Sequence, residues 1–393
     1  MNPTPTLHLG LFFDGTGLNL YNREPGASGK SNVARLFELY PPGRALYIEG
    51  VGTARDAADD LLAQATGRGA SGVAARVAQV PGLLREVLAE HPADIPIELD
   101  LFGFSRGAAA VRHLLNDLEP LRAACGSRSL RVNFVGLFDT VGSIIAPLKG
   151  NFSAANADFD GLRLHLSADM ARHIVHLVAA DERRLNFPLV AGMADRVVPG
   201  DHSDIGGGYR AEEDESLVLA RPFSSTELAT RALDGTQAWQ LASDCLERRR
   251  EEWQALGLEV RLVSDSIDLP FVPQRDIQRE KRVRVSIHGQ RRVRGELSRV
   301  YLRLMHGLAL KAGVPFDVVP DVLPDELQGI AARLMAGVPA LDPAEMALLR
   351  RRYIHLSANW NASLQSDSPL LDALFINRPT ADGRRVIHSN PQP

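Results

Sequence analysis

A serine, an aspartate and a histidine, each at a turn, are the residues whose types and order can do acyl-transfer chemistry. Ser105 lies in Gly103-Phe104-Ser105-Arg106-Gly107, a G-x-S-x-G. Residues 95–104 before it form a largely apolar run of strand length, and Ala108, Val111, Leu114 and Leu115 after it fall at helical spacing. A strand feeding a helix through this pentapeptide is the setting of a nucleophile elbow. The turn is so tight that the serine is held in a strained backbone, and the two glycines let strand and helix pass close together. The hydroxyl then stands at the sheet edge, near the positive end of the following helix.

A serine nucleophile needs a base, and the base needs an acid to orient it. Asp139 follows the apolar run 130–138 and opens Asp139-Thr140-Val141-Gly142-Ser143, which places its carboxylate at a strand tip on the edge that carries Ser105. His202 lies in Pro199-Gly200-Asp201-His202-Ser203-Asp204-Ile205-Gly206-Gly207-Gly208-Tyr209. So glycine-rich a loop can press an imidazole tightly against another loop. The order Ser105, Asp139, His202 is that of α/β-hydrolases. Asp204 is the rival acid, but two residues from His202 in a glycine loop it is the poorer partner, so it is kept in a supporting role. His173 and His176 are read as ordinary residues of an apolar helix over 167–178, and His113 as pointing along its helix away from the tip. A metal site at His202-Ser203-Asp204 finds no Cys/His partner pattern, so neither metal nor cofactor is expected.

The oxyanion needs two N–H donors. Arg106, the residue after the nucleophile, supplies one. The other comes from the loop after an earlier strand: residues 7–13 are apolar and end in Asp14-Gly15-Thr16-Gly17, which offers the amides of Gly15 or Thr16, with Asp14 orienting or capping the loop. Asp181-Glu182-Arg183-Arg184 reads equally as an ion-pair network under the site and as solvated surface.

These turns require strands at 7–13, 45–50, 95–104 and 130–138, with helices at 33–39, 73–90 and 106–116 between them. Pro81 should kink or break the second helix. The fold class is therefore α/β, a mostly parallel sheet flanked by helices. Helices at 228–252, 297–312, 326–335 and 343–352 and an irregular tail, 353–393, are also predicted. Val283, Val285 and Ile287 alternate with Arg282, Arg284 and Ser286, which reads as an edge strand with a basic face. We divide the chain into a hydrolase core at 1–209, an insertion at 210–295 acting as lid or substrate wall, and C-terminal helices and tail at 296–393 that complete the core.

The chain has 393 residues, 45% hydrophobic and 23% charged, with a formal net charge of -4. These are globular values, and the charge gives no reason to expect nucleic acid as a partner. Two cysteines, Cys125 and Cys245, imply no disulfide framework. The N-terminal stretch has no basic n-region, so synthesis in the cytoplasm without a signal peptide is expected.

Several segments together resemble one family. FFDGTG at 12–17, GFSRGAA at 103–109, GLFDTVGS at 136–143, DERRLNFP at 181–188 and HSDIGGGY at 202–209 occur in order. YLRLMHGLALKAGVPF at 301–316, LRRRYIHLSANWN at 349–361 and NRPTADGRRVIH at 377–388 extend the likeness. The chain resembles the α/β-hydrolase-like domain family that includes the type VI secretion phospholipase effectors. The resemblance implies Ser105, Asp139 and His202 as a triad and hydrolysis of phospholipid acyl esters of the A1 or A2 kind. It further implies delivery by a secretion spike to the membrane or periplasm of a target cell, and a cognate immunity protein. A soluble carboxylesterase without a membrane target is the alternative, and a non-catalytic binding module a more distant one.

Overall fold

The computed structural model describes residues 6–21, 29–53, 67, 69–143, 155–193, 195–271, 273, 278–320, 322–337, 341–362 and 375–393. Residues 19–30, polar and glycine-rich and so read from the sequence as a loop, lie partly outside them. In chain order the elements run β1 (Leu7–Phe13), α1 (Asn32–Leu39), β2 (Ala45–Ile48), α2 (Val73–Leu88), β3 (Ile97–Phe104), α3 (Arg106–Leu115), α4 (Glu119–Cys125) and β4 (Leu130–Phe138). There follow β5 (His173–Ala179), β6 (Leu189–Val190), β7 (Asp195–Val198), α5 (His202–Gly206), β8 (Glu212–Val218), β9 (Phe223–Leu228) and α6 (Gln237–Ala255). The chain continues through β10 (Glu259–Asp268), β11 (Glu280–Arg294), α7 (Leu297–Lys311), α8 (Asp325–Met335), α9 (Pro343–Arg352) and β12 (Ile387–His388).

A parallel sheet in the order β2-β1-β3-β4-β5-β7 forms the centre. The chain leaves β1 toward one side for β2 and returns on the other for β3. The β1/β3 boundary is thus a switch point, where the strand-end loops diverge and open a crevice. The loops after β1 and β3 carry Asp14–Gly17 and Ser105 into that crevice. Both faces of the sheet are covered, and its strands are largely apolar rather than strictly alternating. One face packs against α2, α3 and α4 through Leu9, Leu11, Val80, Leu84, Val111 and Leu114. The other packs against α1, α7 and α8 around an aromatic stack, with Phe12 lying parallel to Phe102 at 5.0 Å.

Several expectations are corrected. The predicted helix at 167–178 is instead the parallel strand β5. An apolar run buried between layers has no period to tell strand from helix, and β5 takes the conformation that pairs with β4. The strand with the alternating basic face is not an edge: β11 lies between β10 on one side and β8 with β9 on the other. Val283, Val285 and Ile287 do turn inward, against the side that α6 covers. The 228–252 helix begins only at Gln237, because its first residue closes β9 and Thr236 caps the helix. Helix α2 runs through Pro81 without a break. The tail is irregular except for β12, which pairs in parallel with β6.

The β3-to-α3 turn depends on close backbone approach. A Cβ on Gly107 would lie 2.2 Å from Phe13 O and 2.5 Å from Asp14 O, which rigid backbone cannot relieve. A Cβ on Gly82, inside α2, would meet nothing within 4 Å. Gly107→Ala is therefore expected to cost about 3 kcal/mol, while Gly82→Ala should stabilise by up to about 1 kcal/mol. Urea unfolding of the two variants checks this; equal midpoints would show that α3 does not pack on the end of β1 as described.

Candidate active site

Ser105 is the N-cap of α3 and has φ 58° and ψ -122°, a left-handed backbone that a side-chain-bearing residue adopts only when its surroundings force it. Its N–H donates to Phe138 O (3.0 Å) and its carbonyl accepts from Val141 N (3.4 Å), so the elbow is latched to the end of β4. Asp139, at that end, also has positive φ, 46°. The next residue, Thr140, donates its N–H to His176 Nε2 (3.1 Å), so His176 carries its proton on Nδ1 and gives it to Asp195 Oδ1 (2.6 Å). His176 is thus a strand residue that pins the turn, not part of a helix.

Asp139 is fully buried. Its Oδ2 accepts from His202 Nδ1 at 2.5 Å and its Oδ1 from Ala179 N at 2.9 Å. Arg385 grips both oxygens, Nη1 on Oδ1 at 2.6 Å and Nη2 on Oδ2 at 2.8 Å. Burial alone would raise the Asp139 pKa, but the Arg385 charge and the His202 hydrogen bond hold it far below the ordinary carboxylate range. Arg385 was not singled out from the sequence. It lies 246 residues from its partner, and only the quoted likeness at 377–388 marked its neighbourhood.

His202 opens α5, and its ring is packed by Phe104 (4.6 Å between centroids) and edge-on by Phe187 (5.1 Å). Desolvation lowers its pKa below the ordinary 6.5, against the pull of Asp139, so the imidazole is neutral near pH 7. Nδ1–H is committed to Asp139, which leaves Nε2 as the basic nitrogen. No hydrogen bond joins Ser105 to His202 among the described residues; such contacts often tighten only when substrate is bound. Beneath the ring, Glu182 accepts from Arg184 Nη2 (2.7 Å), from the backbone of Arg183 and Arg184, and weakly from His202 N (3.4 Å). Burial would raise Glu182, but the Arg184 charge brings it down to about 2. The charged turn is an ion-pair network under the site, as one of its two sequence readings had it.

Asp204 makes no hydrogen bond to the His202 ring among the described residues. Its Oδ1 pairs with His355 Nδ1 (2.7 Å) and its Oδ2 accepts from Asp201 N (3.0 Å) and His355 N (3.0 Å). Tyr209 stacks on His355 at 3.6 Å and donates its hydroxyl to Asp201 (2.6 Å). Despite its burial, His355 rises to about 9 because Asp204 and its neighbours surround it with negative charge. The supporting role of Asp204 is thus to anchor the helix that presents His202, through a second histidine that the sequence reading passed over.

In the β1 loop, Asp14 is buried, with Oδ1 accepting from Gly15 N (2.7 Å) and Oδ2 from Ser31 Oγ (2.8 Å) and Tyr47 (2.5 Å). It orients the loop. The Gly15 amide is therefore already engaged, and Thr16 is the oxyanion donor left of the two expected. Thr16 Oγ1 is buried without a hydrogen-bond partner among the described residues. So is Arg106 Nη1, one residue from Ser105, and desolvation pushes that guanidinium down to about 10. No group of three or more His, Cys, Asp or Glu among the described residues is placed to hold a metal ion. A cavity of about 1070 Å³ between the charged turn, α6 and the tail includes Arg183, Trp253 and Ser357 in its wall, but not Ser105.

Residues 116–234 match the family model described as the type VI secretion system (T6SS) phospholipase effector Tle1-like catalytic domain. That span contains Asp139 and His202 and begins after Ser105. A solved structure of the Tle1 effector bound to the VgrG spike from the type 6 secretion system is similar in fold, with a TM-score of 0.77 and 24% identity, covering 98% of this chain and 94% of that one. An uncharacterized protein from Pseudomonas aeruginosa, 19% identical over 88% of this chain and 52% of that one, has a TM-score of 0.47 and carries no argument. No curated protein matches the chain. The mostly parallel α/β fold and the likeness to type VI phospholipase effectors, both read from the sequence, are borne out.

The buried carboxylates give a pH test. Glu182 falls from 4.5 to about 2 on folding, so its contribution is complete above pH 4.5 and is lost as the pH drops toward 2. Asp14 and Asp201, raised by burial, act in the opposite sense above their ordinary pKa. The Glu182 part is therefore read as the stability difference between wild type and Glu182→Gln. That difference should be about 3 kcal/mol at neutral pH, where Arg184 is left unpaired, and should shrink between pH 4.5 and 2. A difference that stays constant over this window would mean that the ion pair is not formed.

Proposed function

We propose that this chain is a serine hydrolase that cleaves acyl esters of membrane phospholipids, in the manner of a phospholipase A. The observation that carries the reading is the strained Ser105 latched to the strand tip that bears the Asp139–His202 pair. Ser105 Oγ attacks the ester carbonyl, and Nε2 of His202 takes its proton. Asp139 holds the imidazole in the tautomer with Nδ1 protonated and stabilises the imidazolium as it forms. The Arg106 N–H, in the first turn of α3 where no intrahelical acceptor exists, and the N–H of Thr16 receive the oxyanion. The imidazolium then protonates the leaving alcohol, and a water activated by His202 releases the fatty acid from Ser105.

The buried, unpartnered Arg106 Nη1 supports a phosphate-bearing substrate over a neutral ester. A buried guanidinium nitrogen with no hydrogen-bond acceptor is costly, and a lipid phosphodiester brought to Ser105 would supply one. The match to phospholipase effectors supports the same substrate class. By analogy with the spike-bound relative, the chain is read as an antibacterial effector that travels on a type VI spike and acts at the membrane or periplasm of the target cell. Such a toxin calls for a cognate immunity protein in the cell that makes it. No helix among the described residues is long and apolar enough to cross a membrane, so lipid would be met at the bilayer surface. Residues 210–295, whose helix α6 and residues 219–221 form one wall of the cavity beside the charged turn, are assigned to bounding the substrate.

The test is fatty-acid release from phosphatidylethanolamine and phosphatidylglycerol vesicles by wild type and Ser105→Ala. The variant should lose activity by a factor on the order of 10⁶. The acid limb of kcat/KM for wild type should lie below pH 6.5, because burial lowers His202. Activity retained in Ser105→Ala would exclude the mechanism, and hydrolysis of short-chain nitrophenyl esters but not of vesicles would favour the soluble esterase. Arg106→Gln, which keeps the backbone N–H, should lower the ratio of phospholipid to nitrophenyl-ester turnover by about tenfold or more. An unchanged ratio would remove Arg106 from substrate recognition.

A further inference from the structure

Arg385 stands in an unusual relation to the proposed triad. A triad aspartate ordinarily gives its negative charge to the imidazole alone, and so favours the imidazolium. Here both Asp139 oxygens are also held by the Arg385 guanidinium, at 2.6 and 2.8 Å, and Arg385 Nε donates to Phe187 O at 2.9 Å. The Arg385 side chain is 6% exposed and Asp139 is 0% exposed, so solvent screens little of the pair. One guanidinium therefore fixes the carboxylate that orients His202 and the residue whose ring packs on the imidazole.

We propose that Arg385 is a positioning residue of the active site: its planar fork sets the orientation of Asp139, and its charge keeps the Asp139–His202 pair from taking up a proton at working pH. This rests on the triad reading above. The charges around His202 and its aspartate divide evenly. Asp139, at the tip of β4, and Glu182, in the charged turn, are negative; Arg184, in the same turn, and Arg385, in the tail, are positive. Asp201 and Asp204, on the helix of His202, are occupied by Tyr209 and His355, with Glu213 and Glu215 on β8 beyond them. Removing Arg385 leaves an excess of negative charge. The Asp139–His202 pair then binds a proton at higher pH, whichever atom holds it, because the two sites titrate together.

Charge and geometry can be separated. Lysine at this position keeps the charge but cannot present two parallel N–H groups to a carboxylate. Glutamine removes the charge. The pH dependence of kcat and KM is measured with a soluble nitrophenyl ester, so that vesicle adsorption plays no part, on the full chain of wild type, Arg385→Lys, Arg385→Gln and Ser105→Ala. Arg385→Gln should move the acid limb of kcat/KM upward by about one pH unit. It should also lower plateau kcat by about 100-fold, with KM little changed. Arg385→Lys should lose kcat while its acid limb stays near the wild-type position. If Arg385→Gln does not fold, the Lys variant decides: wild-type kcat in it overturns the positioning role. A Gln variant whose acid limb coincides with wild type, with the same fractional loss at every pH, would make Arg385 a tail anchor only. Wild-type turnover by Ser105→Ala would sink the triad reading; an inactive Ser105→Ala with an unmoved Arg385→Gln limb would sink this inference alone.

Discussion

The structure depends on one buried carboxylate. Asp139 carries a full charge at a position with no solvent exposure, and an isolated ion there would be prohibitive. Its compensation comes from three segments remote from one another: the backbone of β5 at Ala179, the imidazole at the start of α5, and the guanidinium of the tail. None of the three can move away without exposing the others to an unpaired charge. The chain thus ties its central sheet, its short helix and its last residues to a single point. Glu182 and Arg184 repeat the arrangement one layer below, so that a neutral imidazole sits between two compensated ion pairs.

Helix α5 shows how much of the site is tertiary. Five residues form no stable helix on their own. This one is held by a reciprocal cap between Asp201 and Asp204, by Tyr209 on Asp201, and by His355 on Asp204. The high pKa of His355 has the same origin: it is the cation among carboxylates that would otherwise repel each other. Tyr301 from α7 donates to the carbonyl of Pro199, just ahead of the cap. The position of His202 is therefore set by the side chain of Tyr209 just ahead of β8 and by side chains from α7 and from the segment after α9, and the glycines around it serve to admit those contacts.

What could be read from sequence follows from where the information is local. The strands ending at Phe13, Phe104 and Phe138 announce themselves because apolar runs stop abruptly at Asp14, Ser105 and Asp139, and those stops are the turns of the candidate site. The same criterion failed at 167–178, where residues 173–179 are apolar but follow a polar stretch and show no clean period. It failed again at β8, whose acidic residues pair with the basic ones of β11 across the sheet, Asp214 with Arg292 and Glu215 with Arg291. Alternation in β11 reveals a face but not a neighbour, so a central strand and an edge strand look alike. Asp14, Ser105, Asp139 and His202 were legible because turn chemistry marks them. Arg385, His355 and His176 were not, since nothing within a few residues of each says which distant carboxylate or amide it meets.

The likeness in fold to a spike-bound effector at 24% identity says how the chain is laid out, not what it does. The proposed chemistry has a local physical basis. Two residues without glycine's freedom, Ser105 and Asp139, have positive φ at the ends of neighbouring strands. Each such conformation costs about 1–3 kcal/mol. Either alone would relax if its surroundings allowed. They are latched together, Ser105 N to Phe138 O and Val141 N to Ser105 O, and Thr140 is pinned by His176. Both turns lie at the C-terminal edge of the sheet, beside the switch point between β1 and β3. A sheet needing only to be stable would place glycine or asparagine at such positions. Keeping a serine and a buried aspartate there, with the imidazole of His202 locked to the aspartate, is the arrangement that the proposed acyl transfer needs.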